Sequence, residues 1–126
     1  NLYFKEMAAR SDLEIDFRMV GFDRRLKPDI ETVLYRFSQE AFTNTLNHSG
    51  AETFRLSIIK SYPKIILSAE DDGVGFDGQS GENDKRSLGL IGMRERVIQL
   101  GGTFSLLGRP GLGTRIRVEI PFEEAV

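Results

Sequence analysis

Glu40 and Asn44 stand four residues apart in a stretch with helical apolar spacing, so a carboxylate and an amide stack on one face. Such oxygen donors suit a hard divalent cation, and Mg²⁺ normally completes its octahedron with phosphate oxygens and water. A solvated helix face accounts for the same pair, because charged residues are mostly exposed. Further along, the apolar run Ile65, Ile66, Leu67 leads to Asp71, Asp72, Gly73, Val74, Gly75 and Phe76. This reads either as a buried strand delivering a carboxylate to the floor of a pocket, or as a surface turn. An ionised carboxylate only accepts hydrogen bonds, so Asp71 suits an exocyclic amine such as adenine offers. Gly73 and Gly75 would let the backbone come close to the ring, where a Cβ would intrude. Ser87, Leu88, Gly89, Leu90, Ile91, Gly92 and Met93 open a second helix, whose free N–H groups could hold phosphates or whose glycines could serve packing alone.

The elements that must position these groups follow from periodicity. A short helix is expected over residues 2–10, then a strand over 13–19, where Leu13, Ile15, Phe17 and Met19 alternate with charge. Pro28 with Asp29 and Glu31 starts a long helix reaching about His48, and Ile30, Val33, Leu34, Phe37, Ala41 and Phe42 form its core stripe. Arg36, Glu40, Asn44 and Asn47 form a second stripe on that helix. Strands at 52–60 and 64–72, joined by Ser61, Tyr62 and Pro63, read as an antiparallel hairpin. Residues 73–87 lose periodicity and form a long loop, expected to be functional or mobile. Helical spacing returns at Leu88, Ile91, Met93, Val97 and Leu100 and stops at Gly101 and Gly102. Strands at 103–107 and 114–121 flank a Gly108, Arg109, Pro110, Gly111 turn, giving about five strands and three helices in one α/β two-layer sandwich.

A chain of 126 residues has room for one core, and 40% apolar with 29% charged residues is the balance of a soluble domain. A net charge of −2 argues against a nucleic-acid module that works through a general basic field. Without cysteine, and with one histidine, disulfides, thiolate metal sites and a His-rich zinc site are excluded. No apolar run is long enough to span a bilayer, so no direct membrane contact is expected. The chain lacks an initiating Met and reads as part of something longer.

Taken in order, E-x-x-x-N on a helix, D-x-G-x-G after a strand, a loop, L-G-L-x-G-M in a helix, and G-x-G-T before the last strand resemble one superfamily. It is the ATP-binding domain shared by gyrase, Hsp90, histidine kinases and MutL. More narrowly, Gln39-Glu40-Ala41 with Asn44, the run from Asp71 to Phe76, and the run from Gly89 to Val97 resemble sensor histidine kinases of the nitrate-sensor and lipid-desaturase-sensor type. The likeness extends from about Leu13 to Phe122. It implies a Bergerat-type sandwich with a mixed sheet, binding ATP with Mg²⁺. By motif position, Asp71 would take the adenine amine, Gly73 and Gly75 would shape the base pocket, and Thr114 would help fix adenine. Asn44 would ligate Mg²⁺, and Glu40 would join the metal shell or position water. Gly89, Leu90 and Gly92, beside Ser87 and Leu88, would cradle phosphates and hinge a lid. Asn47 stands where such kinases often place a basic residue, which shifts charge neutralisation to Lys85, Arg86 or the metal, and Ser87 replaces the first glycine of the lid-to-helix motif.

The activity implied is transfer of the γ-phosphoryl of ATP to a histidine on a separate dimerisation domain, with a response regulator downstream and a cytoplasmic location. His48, at the end of the metal-side helix, reads as an ordinary helix-end histidine rather than the acceptor. Two other readings remain open: a stand-alone serine kinase of the anti-sigma-factor type, and a docking module that has lost nucleotide binding.

Overall fold

The structure, a computed structural model, describes residues 13–21, 26–46, 50–73, 85–109 and 111–122, with 85–91 and 109 described by backbone alone. Five strands, β1 (Glu14–Val20), β2 (Thr53–Ser61), β3 (Lys64–Asp71), β4 (Thr103–Arg109) and β5 (Gly113–Pro121), form one sheet in the order β1-β2-β3-β5-β4. Two helices, α1 (Pro28–Asn44) and α2 (Lys85–Gln99), accompany it. The β1–β2 pair is parallel and the other three are antiparallel, so the sheet is mixed as expected. A parallel pair needs a crossover, and α1 supplies it. The helix expected at residues 2–10 lies outside the described residues. Among those residues no helix is long and apolar enough to cross a membrane.

Alternation along the central strands buries one sheet face. Phe54, Leu56 and Ile58 on β2, Ile65, Leu67 and Ala69 on β3, and Ile116, Val118 and Ile120 on β5 are all buried. The α1 stripe of Ile30, Val33, Leu34, Phe37, Ala41 and Phe42 is buried in the same core. Phe42 meets Phe54 edge-on at 5.3 Å and Phe37 meets Phe104 at 5.6 Å, so α1 bridges from β2 across to β4. From α2, Val97 is fully buried, and Met93 and Leu100 pack against the core.

β1 and the start of α2 differ from the periodic reading. β1 is an edge strand: Ile15 and Phe17 are only half-buried and Met19 is 48% exposed, because no strand or described helix covers that margin. α1 is followed by π geometry at Thr45 and Leu46, with the Thr45 N–H shared between the Ala41 and Phe42 carbonyls, and the end expected near His48 lies outside the described residues. α2 begins at Lys85, three residues before its apolar stripe, since Lys, Arg and Ser all tolerate helix and need not contact the core to join it. Its far end stops as expected: Gly101 at φ +80° follows the last turn, and the Gly102 N–H returns to the Val97 carbonyl at 2.9 Å.

Candidate functional site

β3 ends at Asp71 on the helix-facing side, two residues beyond buried Ala69, and here the apolar layer gives way to polar groups. The carboxylate is half-buried and held at both oxygens. Thr45 Oγ1 donates to Oδ2 at 3.1 Å, and the Gly73 N–H donates to Oδ1 at 2.9 Å. Each oxygen can accept a further bond, so the group is oriented without being used up. Register places Asp71 directly opposite Thr114, half-buried on the same face of β5. Gly73 is buried beside them.

The two strand ends approach closely because Gly113 is a glycine. Its φ is +102°, and a Cβ built there would land on the carbonyl of Asp71 and lie 3.1 Å from Cα of Asp72. Asp72 faces away and does structural work: its Oδ1 accepts the Glu52 N–H at 2.9 Å and the Thr53 N–H at 3.0 Å, tying the start of β2 to the end of β3. The Thr53 N–H, with that of Glu52, holds the Asp72 carboxyl below its ordinary value.

Glu40 and Asn44 lie one helical turn apart on α1, both half-buried, on the stripe next to the Ala41–Thr45 line that runs toward Asp71. Among the described residues no three His, Cys, Asp or Glu side chains gather into a metal cage. Glu40 and Asn44 offer two oxygen donors, of the type Mg²⁺ takes beside phosphate and water. A hollow of about 130 Å³ opens at the same end of the sheet, lined by Asp71, Gly113, Thr114, Glu70, Arg115 and the exposed Leu107 and Leu112. Pockets for drug-sized ligands run from about 300 Å³. These walls alone do not enclose a nucleotide.

The remaining expected residues divide. Asn47 and Gly75 lie outside the described residues, as does the loop from 74 to 84. Lys85, Ser87, Leu88, Gly89, Leu90 and Gly92 all lie on the α2 backbone. Gly92 is exposed, and a Cβ there would meet nothing within 4 Å, so packing does not require this glycine.

Thr45 is the Asp71 partner that sequence reasoning passed over, whereas Gly113 stood in the G-x-G-T motif without its close approach to Asp71 being foreseen. A signal existed for Thr45: it continues the core line Phe37, Ala41 at the next interval of four, and a hydroxyl on an apolar stripe needs a partner.

The structure thus sets an oriented strand-end carboxylate close to a helix bearing oxygen donors in a two-layer sandwich. The family profile described as histidine kinase-, DNA gyrase B- and HSP90-like ATPase matches residues 29–124, and the chain belongs to this family, as an ATP-binding domain of the sensor histidine kinase type. The signal transduction histidine-protein kinase/phosphatase DegS of Bacillus subtilis is 40% identical over 114 residues, 86% of this chain and 29% of that protein. The sensor protein VraS of Staphylococcus haemolyticus is 36% identical over 99 residues, 79% of this chain and 28% of that protein. The chain thus spans less than a third of either relative. The catalytic domain of histidine kinase ThkA superimposes with a TM-score of 0.71 at 21% identity, covering 96% of this chain and 86% of that one, a likeness of fold.

Proposed function

We propose that this chain is a single catalytic domain that binds Mg²⁺-ATP at the Asp71 end of the sheet and donates the γ-phosphoryl to a histidine on a separate dimerisation domain. The observation that carries the reading is the Asp71 carboxylate, held at one oxygen by Thr45 and at the other by Gly73. An acceptor-only group so fixed matches the amino edge of adenine, and a base presenting a carbonyl there would face it unfavourably. Thr114 opposite Asp71, and Gly73 and Gly75 along the turn, would complete the base pocket. Asn44 would hold Mg²⁺, with Glu40 in the metal shell or positioning water, and Asn47 beyond them. Lys85, Ser87, Leu88, Gly89, Leu90 and Gly92 would line the phosphate side.

When bound, the metal would neutralise charge on the phosphates. The domain's own contribution is positioning, which dominates phosphoryl transfer. The acceptor imidazole nitrogen bonds to the γ-phosphorus as the bond to the β–γ bridging oxygen breaks, leaving ADP. The naming of DegS as a signal transduction histidine-protein kinase/phosphatase and of VraS as a sensor protein supports a two-component setting, in which a response regulator would act downstream and this domain would work in the cytoplasm. Isothermal titration with ATP and GTP, with and without Mg²⁺, tests the reading. The expected result is preference for ATP that Mg²⁺ strengthens. Equal affinity for the two nucleotides, or binding of neither, would overturn it.

A further inference from the structure

Three hydroxyls on α1 or its last turn donate to a carbonyl four residues back: Thr32 to Pro28 at 2.9 Å, Ser38 to Leu34 at 2.8 Å, and Thr45 to Ala41 at 2.9 Å. That bond is enough to satisfy a buried hydroxyl, as Ser38 demonstrates at 2% exposure. Thr45, equally buried at 3%, also reaches across 26 residues of chain to Asp71 Oδ2. A hydroxyl has one proton, so the two acceptors compete for it. The second partnership therefore serves the carboxylate rather than the threonine.

The backbone at this point is equally particular. Thr45 and Leu46 follow the helix in π geometry, a form frequent at functional sites, while the Thr45 N–H itself is shared between the Phe42 and Ala41 carbonyls three and four residues back. Asn44, the last residue of α1, is the residue immediately before.

We propose that Thr45 is a positioning residue that fixes the Asp71 carboxylate for the base and, as the residue that follows Asn44 in the chain, couples base recognition to the metal side of the site. This rests on the nucleotide reading given above. A base amine on Asp71 and a cation on Asn44 each favour one geometry of the same turn, so each strengthens the other's binding, and the coupling is reciprocal.

The test is titration of the chain with ATP and GTP, each with and without Mg²⁺, for the natural sequence, Thr45→Val and Thr45→Ser, with thermal unfolding of the nucleotide-free proteins alongside. Thr45→Val keeps the shape and removes the hydroxyl. It should lose about tenfold in ATP affinity, the scale of one hydrogen bond to a charged group, and should lose part of both the ATP-over-GTP preference and the Mg²⁺ enhancement. Thr45→Ser should restore all three. A Thr45→Val protein with preference and enhancement intact overturns the proposal, even if affinity falls uniformly, because a purely structural role predicts that pattern. Thr45→Ala provides the same reading should the valine variant not fold. If the natural sequence shows no preference for ATP, the nucleotide reading fails first; if it shows the preference and the variants retain it, the role of Thr45 alone fails.

Discussion

The two ends of the β2–β3 pair are built on opposite plans. At the hairpin end, side chains satisfy one another: Tyr62 meets Phe122 edge-on at 5.7 Å, Lys60 Nζ sits 5.0 Å from the same ring, and the Phe122 N–H bonds the Pro63 carbonyl at 3.0 Å. Cation, ring and ring form a closed clasp over the sheet margin. At the other end, Asp71 is held at both oxygens yet keeps capacity to accept more, and Gly113 gives up a side chain so that the strands can meet. One end spends its chemistry on the fold. The other holds it in place for something else.

The largest expected effect separates the two ends cleanly. Asp71→Asn places an NH₂ donor where the base amine would arrive, so ATP affinity should fall by about two orders of magnitude, while the fold persists because Thr45 can still satisfy itself at Ala41. Titration with circular dichroism checks this, and normal ATP binding by the variant would remove the pocket assignment. At the clasp the pattern should invert. Phe122→Ala empties a buried ring site and should cost about 3 kcal/mol of stability, with nucleotide affinity unchanged in whatever protein remains folded. Loss of affinity in that folded fraction would show that the ends communicate.

Gly113→Ala tests whether the open end depends on close backbone approach. The added Cβ collides with the Asp71 carbonyl at a positive φ, so a stability loss of about 1–3 kcal/mol is expected, together with weaker ATP binding because Asp71 must move. Asp72 gives a finer separation, since it lies next to Asp71 but serves the fold. Its carboxyl is held below the ordinary 3.8, chiefly by the Thr53 N–H. A depressed folded-state value means the contribution to stability is present above the unfolded value and disappears as pH falls through the folded one. Asp72→Asn should therefore be less stable than the natural sequence at neutral pH, with the gap closing only below the ordinary value of 3.8. Denaturant midpoints across pH measure this; a gap constant with pH would assign the effect to lost packing instead.

These contrasts also explain what could be read from sequence. The core of α1 was legible residue by residue, because Ile30, Val33, Leu34, Phe37, Ala41 and Phe42 announce one face by period alone. The strand-end carboxylate was legible for a similar reason: an apolar alternation running into acids and glycines marks where the buried layer ends. The partner of Asp71 was not, because the Thr45 bond depends on where a helix and a strand 26 residues apart happen to meet. Nor was the need for glycine at 113, which comes from the backbone of another strand rather than from its own turn. The early start of α2 escaped because an apolar stripe reports which residues touch the core, while Lys85, Arg86 and Ser87 join the helix without announcing it by that pattern.

The smallest effect carries the most informative sign. Gly92 sits inside α2, exposed, where an added methyl meets nothing within 4 Å. A glycine in a helix interior costs about 1 kcal/mol relative to alanine, so Gly92→Ala should raise the thermal midpoint. If the glycine is there only as an unremarkable helix residue, ATP affinity should be untouched and the variant is simply a better protein. If its bare backbone makes room for phosphates, the same change should weaken ATP binding while stabilising the fold, and the two measurements should move in opposite directions. A stability gain with unchanged affinity would remove Gly92 from the site.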